Sequence, residues 1–133
     1  MNPTAMHASI ANAIRISAQP RYEADQSDPE AERFLFSYRI TIANHSRHTI
    51  QLVSRHWVIM DSLAERREVR GPGVVGTHPV MGPGEQFTYT SYCELRSAMG
   101  RMQGTYLMRN LDDGTQFDVA IPAFQLHTPH VAN

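Results

Sequence analysis

The residues best suited to binding chemistry lie in one glycine-rich segment, residues 70–85, of this 133-residue chain. The segment contains a GxGxxG motif formed by Gly71, Gly73 and Gly76. In dinucleotide-binding folds such glycines let backbone amides approach a pyrophosphate at the N-terminus of a helix. Here Pro79 and Pro83 follow the motif closely, and a helix cannot run through them. The sequence therefore disfavours a dinucleotide-binding fold.

Three interpretations of this segment stay open. In the first, its glycines and prolines build a compact structural loop between two strands. In the second, exposed amides form an anion-binding nest, and nearby guanidinium groups supply positive charge that suits phosphate. The third is a protein-binding loop that uses an exposed Val74–Val75 pair. The candidate residues for pyrophosphate or another small anion are Gly71, Gly73, Gly76, Arg66, Arg67 and Arg70.

The histidines are candidate metal ligands. They include two pairs spaced three apart and two single residues, namely His45 and His48, His127 and His130, His56, and His78. Such a spacing indicates a metal site when both residues share a helix face, and these pairs fall in a predicted turn and a tail. No carboxylate or cysteine stands at a matching spacing. We expect surface histidines and assign no metal ligand, although a divalent-metal protein stays an alternative.

Templates for catalysis are missing from the sequence, which has no GxSxG, HExxH or P-loop motif. Asp112 and Asp113 are neighbours in a predicted turn, so their carboxylates point apart. Cys93 shares a strand face with aromatic and aliphatic residues, which is typical of a small core hydrophobe. We therefore predict a protein that is not an enzyme, has no catalytic residue and needs no cofactor.

The charge composition limits the classes of partner. Twelve arginines and no lysine stand against 13 acidic residues, so the net charge is −1. This balance argues against a nucleic-acid or anionic-membrane binder. The missing lysines exclude Schiff-base chemistry and a P-loop lysine. A single cysteine, no membrane-spanning apolar run and no secretory signal predict a cytoplasmic protein.

Most of the chain alternates between apolar and polar residues, which is typical of half-buried β-strands. In residues 49–61 this alternation would place Val53 and Trp57 on one face and Leu52 on the other. The Asp113–Gly114 pair predicts a hairpin turn. Pro122 predicts an edge strand because proline donates no ladder hydrogen bond. The predicted strands are Ser9–Ala18, 32–44, 49–61, Arg67–Arg70, 85–95, 101–109 and 115–124.

The connections are also predictable. Residues 23–32 carry five acids and no base, so we expect a solvated loop. Residues 62–70 contain a possible helix cap at Ser62 and Glu65, but we favour a hairpin into the short strand Arg67–Arg70. About seven strands without a long helix predict an all-β, antiparallel two-sheet sandwich, immunoglobulin-like or fibronectin type III-like. We expect a single domain over residues 1–133, with its core at about 6–127 and short flexible tails.

Several separate sequence blocks, in this order, resemble the ApaG (CorD) domain family. They cover nearly the whole chain and comprise 53–59 (VSRHWVI), 68–76 (EVRGPGVVG), Pro79-Val80, 83–85 (PGE), 89–91 (YTS), Met102-Gln103-Gly104 with Tyr106, and 117–124 (FDVAIPAF). The resemblance implies a fibronectin type III-like sandwich in a small bacterial cytoplasmic protein. It also implies a link to cobalt tolerance and magnesium efflux, and a role in protein interaction. No catalytic residues are implied.

The expected function is thus a non-catalytic binding module with a cytosolic protein partner. The first alternative is a binder of a phosphate-containing small molecule through the glycine-rich loop, and the second is a divalent-metal binder. We expect neither nucleic acid nor a membrane as a partner.

Overall fold

The structure, a computed structural model, describes residues 9–129. Its strands alternate between buried and exposed side chains, as the sequence pattern predicts. Two short 3-10 turns, Ala24–Gln26 and Pro29–Ala31, form the exposed acidic loop. The strands are β1 (Ile14–Tyr22), β2 (Phe34–Asn44), β3 (Ile50–Asp61), β4 (Ala64–Pro72), β5 (Val80–Met81), β6 (Gln86–Leu95), β7 (Met99–Asn110) and β8 (Gln116–His127).

Two antiparallel sheets form a sandwich, which confirms the predicted fold class. One sheet has the order β1-β2-β6, and the other has the order β4-β3-β7-β8 with β5 also paired to β3. All the pairs are antiparallel. This order is compatible with the fibronectin type III-like arrangement that the resemblance implies.

The core lies between the sheets and is centred on aromatic rings. Trp57 of β3 meets Tyr38, Tyr106 and Phe124 edge to face, with ring centroids 5.5–6.3 Å apart. Such edge-to-face contacts add to the stabilisation from burial. Cys93 is buried in the same core, as predicted.

The prediction for the first strand is wrong at both ends. Residues 9–12 are helical, and β1 runs from Ile14 to Tyr22 rather than from Ser9 to Ala18. Alternation of Ile10, Ile14 and Ile16 also fits a helical turn that precedes a strand, since residues four apart share a helix face. The tails predicted beyond residues 6–127 lie largely outside the described residues.

The prediction of a hairpin after β3 is correct, but its second strand is longer than Arg67–Arg70. A turn at Ser62 and Leu63 leads directly into β4, so the alternative helical turn does not form. Pairing to β3 overrides the local helix-capping pattern. Residues 9–129 contain eight strands rather than about seven, because β5 is a separate two-residue strand.

A β-bulge in β3 corrects the predicted distribution of its side chains. The register against β7 shifts between Leu52 and Ser54. Leu52 and Trp57 are therefore both buried, although strict alternation puts them on opposite faces. Arg55 lies in the inward phase with Trp57.

The last hairpin matches its prediction. Asn110 and Thr115 enclose the turn between β7 and β8, and Gly114 has a φ of 78°. Pro122 lies in β8, which is an edge strand. Within the described residues, no helix is long and apolar enough to span a bilayer.

Candidate functional site

The glycine-rich loop is an excursion from the edge of the larger sheet. β4 and β5 both pair with β3 on the same side, and residues 73–79 leave that edge between them. The loop is attached to β3 at both ends, since the Gly73 amide donates to the Val53 carbonyl and the Leu52 amide donates to the Pro79 carbonyl. At its tip, Val74 and Thr77 form a bridge closed by two 2.9 Å hydrogen bonds.

The three motif glycines each have a structural reason. Gly73 and Gly76 have φ values of 57° and 79°, and a Cβ on Gly73 would come within 2.1 Å of the Thr77 carbonyl oxygen. Gly71 leaves space for the guanidinium of Arg55, whose nearest nitrogen would lie 2.9 Å from an added Cβ. These observations favour the first interpretation, a compact structural loop.

The expectation that Val74 and Val75 form an exposed pair is half wrong. Val74 is 1% exposed and belongs to the core, whereas Val75 is 55% exposed. The tight turn causes this difference, because it folds Val74 back over β3 and leaves Val75, with a φ of 41°, at the tip. A surface built from both valines is therefore not available in this structure.

The candidate anion-binding arginines do not converge. Arg66 and Arg70 lie on the outer face of β4 and approach Glu68 Oε1 at 3.8 and 4.0 Å. The same oxygen lies 2.7 Å from His56 Nε2, and the His56 hydrogen bond lowers the pKa of Glu68, helped by the two arginines. Arg67 points to the opposite face of β4.

Three of the loop amides also have backbone partners. The amides of Gly73, Val74 and Thr77 donate to backbone carbonyls. The carbonyls of Pro72 and Gly73 accept from Arg55 Nη1, both at 2.9 Å. These bonds reduce the number of donors that a phosphate nest could use.

A groove opens instead between β4 and β6, the strands that end the two sheets on one side of the sandwich. Its volume is about 280 Å³. The larger sheet contributes Arg55, Arg67 and Val69, and the smaller sheet contributes residues that include Tyr38 and Ser91. The structure thus brings Arg55, which sequence reasoning missed, together with Arg67, which it had placed elsewhere.

Arg67 links the two sides of this groove. Its Nη2 donates to the Glu94 carbonyl oxygen at 2.6 Å and lies 3.6 Å from Cys93 Sγ. Burial raises the pKa of the Cys93 thiol to about 11 despite the nearby guanidinium. The thiol is therefore protonated at neutral pH and is a poor nucleophile.

Tyr38 lines the groove, and Tyr89 and Tyr106 are buried with it in the core. Burial raises the pKa of Tyr38, although a hydrogen bond with Ser91 and the charge of Arg55 act in the opposite direction. Tyr89 and Tyr106 hydrogen-bond to each other, and burial also raises both of their pKa values. These hydroxyls stay protonated at neutral pH and can donate hydrogen bonds.

The groove runs beside the free edge of β6. The Asn44 amide donates to the Glu85 carbonyl at 2.9 Å, so odd-numbered residues of β6 direct their backbone bonds toward β2. Arg67 reaches the carbonyl of an even-numbered residue, Glu94, from the other side. The N–H and C=O groups of Thr88, Thr90 and Tyr92 therefore point away from β2.

The other three sheet edges carry features that discourage pairing. β1 contains Pro20 and two arginines. β4 has five charged residues among nine. β8 contains Pro122 beside a register shift. β6 has one charged residue among ten and no proline, so it is the edge with the least protection of these four.

This difference could have been found in the sequence. The run QFTYTSYCEL, within the predicted strand 85–95, has no proline and a single charge, and that composition is typical of a strand able to pair further. The sequence alone did not say which side of β6 is free, because strand order depends on contacts between distant segments.

The histidines do not assemble a metal site within residues 9–129. No group of three or more His, Cys, Asp and Glu side chains in this range could hold a metal ion. His48 lies 2.9 Å from Asp112, and His56 pairs with Glu68. His130 of the predicted His127–His130 pair lies outside the described residues.

Comparisons with known proteins agree with the resemblance in the sequence. Residues 24–110 match the family model of the ApaG domain. Protein ApaG of Methylobacterium sp. (strain 4-46) is 46% identical over 126 residues, which cover 95% of this chain and 96% of that protein. Protein ApaG of Paramagnetospirillum magneticum is 45% identical over 125 residues, which cover 94% of this chain and 95% of that protein.

A solved structure shows the same fold. The crystal structure of the putative ApaA protein from Bordetella pertussis superposes with a TM-score of 0.85 and is 42% identical in sequence. The match covers 89% of this chain and 95% of that chain. Sequence, family model and fold agree over most of the molecule, and this chain therefore belongs to the ApaG domain family.

Proposed function

We propose that this ApaG domain is a non-catalytic binding module that takes an extended segment of a cytosolic protein as an added strand on β6. The free, weakly charged edge of β6 carries the proposal. Backbone hydrogen bonds supply affinity in this mode of recognition, and pockets for alternate side chains supply specificity. The groove under β4 provides such a pocket.

The arrangement of the sheets supports an added strand at this position. The smaller sheet has three strands, and the main path of the larger sheet has four. A partner strand next to β6 would give the smaller sheet a fourth strand opposite β4. Its inward side chains would then contact the inner face of β4, where Val69 is 38% exposed.

Thr90→Pro tests the proposal. The Thr90 amide points to the free edge, so proline removes a donor that a partner needs and β2 does not use. A displayed library of random peptides is selected on the natural protein alone, and the affinity of each enriched peptide is then measured on the natural protein and on the variant. We expect enriched peptides to bind the natural protein and to lose most of their affinity for Thr90→Pro.

Hydrogen exchange gives the direct structural readout. In the free protein the amides of Thr88, Thr90 and Tyr92 should exchange faster than those of Tyr89 and Ser91, which pair with β2. A bound peptide should protect the first three.

Ala18→Pro on β1 is the matched control, because this residue also faces a free edge. It should leave peptide binding unchanged. Peptides that bind Thr90→Pro as well as the natural protein, or that protect no amide of β6, would refute the proposal.

A further inference from the structure

The groove beside β6 contains two guanidinium groups without carboxylate partners. Within residues 9–129, no carboxylate oxygen lies within 4.0 Å of Arg55 or Arg67. Arg66 and Arg70, on the outer face of the same strand β4, share Glu68. Arg67 acts on the carboxylate of Asp61 from beyond 4.0 Å, but neither groove-side guanidinium has an ion-pair partner, whereas the charge on the outer side is locally compensated.

Backbone carbonyls hold both guanidinium groups in position. Arg55 Nη1 donates to the carbonyls of Pro72 and Gly73, and the flat side of its guanidinium lies over Gly71. Arg67 Nη2 donates to the Glu94 carbonyl. In the described hydrogen bonds each arginine uses one terminal nitrogen, so the remaining N–H groups can bind an acceptor. A held guanidinium loses less freedom when it binds a carboxylate.

Neutral donors lie next to these charges. The Tyr38 hydroxyl and Ser91 line the same groove, and the charge of Arg55 acts on Tyr38. A group that accepts several hydrogen bonds and carries negative charge matches these donors best. A carboxylate meets both conditions.

The position of an added strand brings its side chains to this cluster. On β6, Ser91 points inward and lines the groove, while its neighbour Tyr92 is 59% exposed. A partner residue beside Ser91 on the inner face would point between Arg55 and Arg67, because side chains alternate across a sheet. Its neighbours along the partner strand would face solvent.

We infer that the segment bound on β6 is acidic, and that an inward Asp or Glu side chain binds Arg55 and Arg67. This inference rests on the proposed strand addition and specifies its partner. The partner is an extended peptide with a carboxylate at alternate positions, rather than an uncharged or basic one.

The test uses peptides obtained by the library selection described above. Enriched sequences should carry Asp or Glu at alternate positions, the ones whose side chains face inward in the added strand. In a selected peptide, replacing the inward Glu by Gln should weaken binding to the natural protein about tenfold, since a charge-assisted hydrogen bond is lost. Replacing it by Lys should weaken binding further, and added salt should reduce the difference between the Glu and Gln peptides.

Matched protein variants locate the effect. Arg67→Met and Arg55→Met should each abolish most of the difference in affinity between the Glu and Gln peptides. Arg66→Met, on the outer face, should leave that difference unchanged. Arg55 also holds the glycine-rich loop, so the thermal midpoint of each variant is measured. Arg67→Met provides the same test through an arginine outside that loop.

The outcomes separate this inference from the proposed function. If the Glu and Gln peptides bind equally and still protect Thr88, Thr90 and Tyr92, the acidic preference is wrong and strand addition stands. If no peptide protects these amides, both proposals are wrong. If inorganic phosphate alone shifts the guanidinium signals of Arg55 and Arg67 and no peptide does, the groove is a small-anion site and the inference is overturned.

Discussion

On one open side of the sandwich β1 and β8 end the two sheets, and on the other side β6 and β4 end them. β1 and β8 contact each other, and each contains a proline. The Glu23 amide donates to the Leu35 carbonyl, so odd-numbered residues of β1 bond to β2 and Pro20 faces the free edge. On the other side a groove separates β4 from β6.

The comparison shows two ways of ending a sheet in one molecule. Proline and charge protect the β1 side at the level of sequence. On the opposite side β4 is charged, but β6 has little protection beyond the bond from Arg67 to the Glu94 carbonyl. An edge that is left free beside a lined groove is suited to a partner strand.

The largest difference in stability should come from proline placed at one or the other of two neighbouring positions in β6. Ser91→Pro removes a donor to β2, so we expect the free energy of unfolding to fall by about 3 kcal/mol or more. Thr90→Pro should lower the free energy of unfolding much less, because the Thr90 amide faces the free edge, as the nitrogen of Pro20 does in β1. Chemical denaturation of both variants measures the difference, and equal losses would show that the assigned direction of the β6 amides is wrong.

Glycine substitutions in the loop beside the groove should give the next largest loss in the free energy of unfolding. In Gly73→Ala the new Cβ meets the Thr77 carbonyl oxygen and φ is 57°, so we expect a loss of more than about 2 kcal/mol. Gly76 has open space and a φ of 79°, so Gly76→Ala should lose about 1 kcal/mol. The same denaturation measurement ranks them, and the reverse order would contradict the structural explanation of the motif.

Asp61 ties the start of the β3–β4 hairpin to the turn after β6. Its carboxylate accepts hydrogen bonds from the amides of Arg96 and Leu63 and from the Ser97 hydroxyl, at 2.6, 3.1 and 2.7 Å. Burial raises the pKa of Asp61, but these bonds and the charge of Arg67 outweigh it and hold the pKa below its usual value.

The pKa of Asp61 predicts how stability depends on pH. Because the folded pKa is lowered, the stabilisation is present above the unfolded value and disappears as pH falls through the folded pKa. Asp61→Asn should lose about 1–2 kcal/mol at neutral pH and less below about pH 4. Urea unfolding at several pH values measures this, with the exposed Asp118→Asn as the control. A loss that does not depend on pH would contradict the role of the charge.

The smallest expected effect is that of phosphate compounds on the amide signals of the glycine-rich loop. Because three of the loop amides have backbone partners and the arginines diverge, pyrophosphate and ATP at millimolar concentration should leave the amide signals of residues 71–76 unshifted. A titration of the labelled protein measures this, and adding cobalt and magnesium tests the metal alternative in the same experiment. Saturable shifts confined to residues 71–76 would restore the anion-binding alternative.

Local patterns predicted a large part of this fold. The alternation at Phe36, Ile40 and Ile42 identified β2, and Asp113–Gly114 identified the last hairpin. Pro122 identified an edge strand, and the phase of Cys93 placed it in the core. These predictions succeed because side-chain direction and turn conformation depend on residues close in sequence.

The candidate site was less predictable, for a physical reason that its residues illustrate. The opposite directions of Arg66 and Arg67 follow from alternation once β4 is known to begin at Ala64. The place of Arg55 beside Arg67 follows the pairing of β3 with β4, and the burial of Val74 follows the turn at Val75 and Gly76. Each of these features depends on pairing with β3, which is a contact between distant segments.

The sequence by itself determined the all-β class, the main strands, the absence of lysine and the low charge of β6, since composition and alternation are properties of the chain. The tertiary structure decided that β6 has a free edge, that Arg55 and Arg67 line one groove, and that the glycine motif lies in a tight loop at the edge of the larger sheet. Strand order and sheet stacking produce these features. They are fixed by the burial of core residues from all parts of the chain, and no local pattern specifies them.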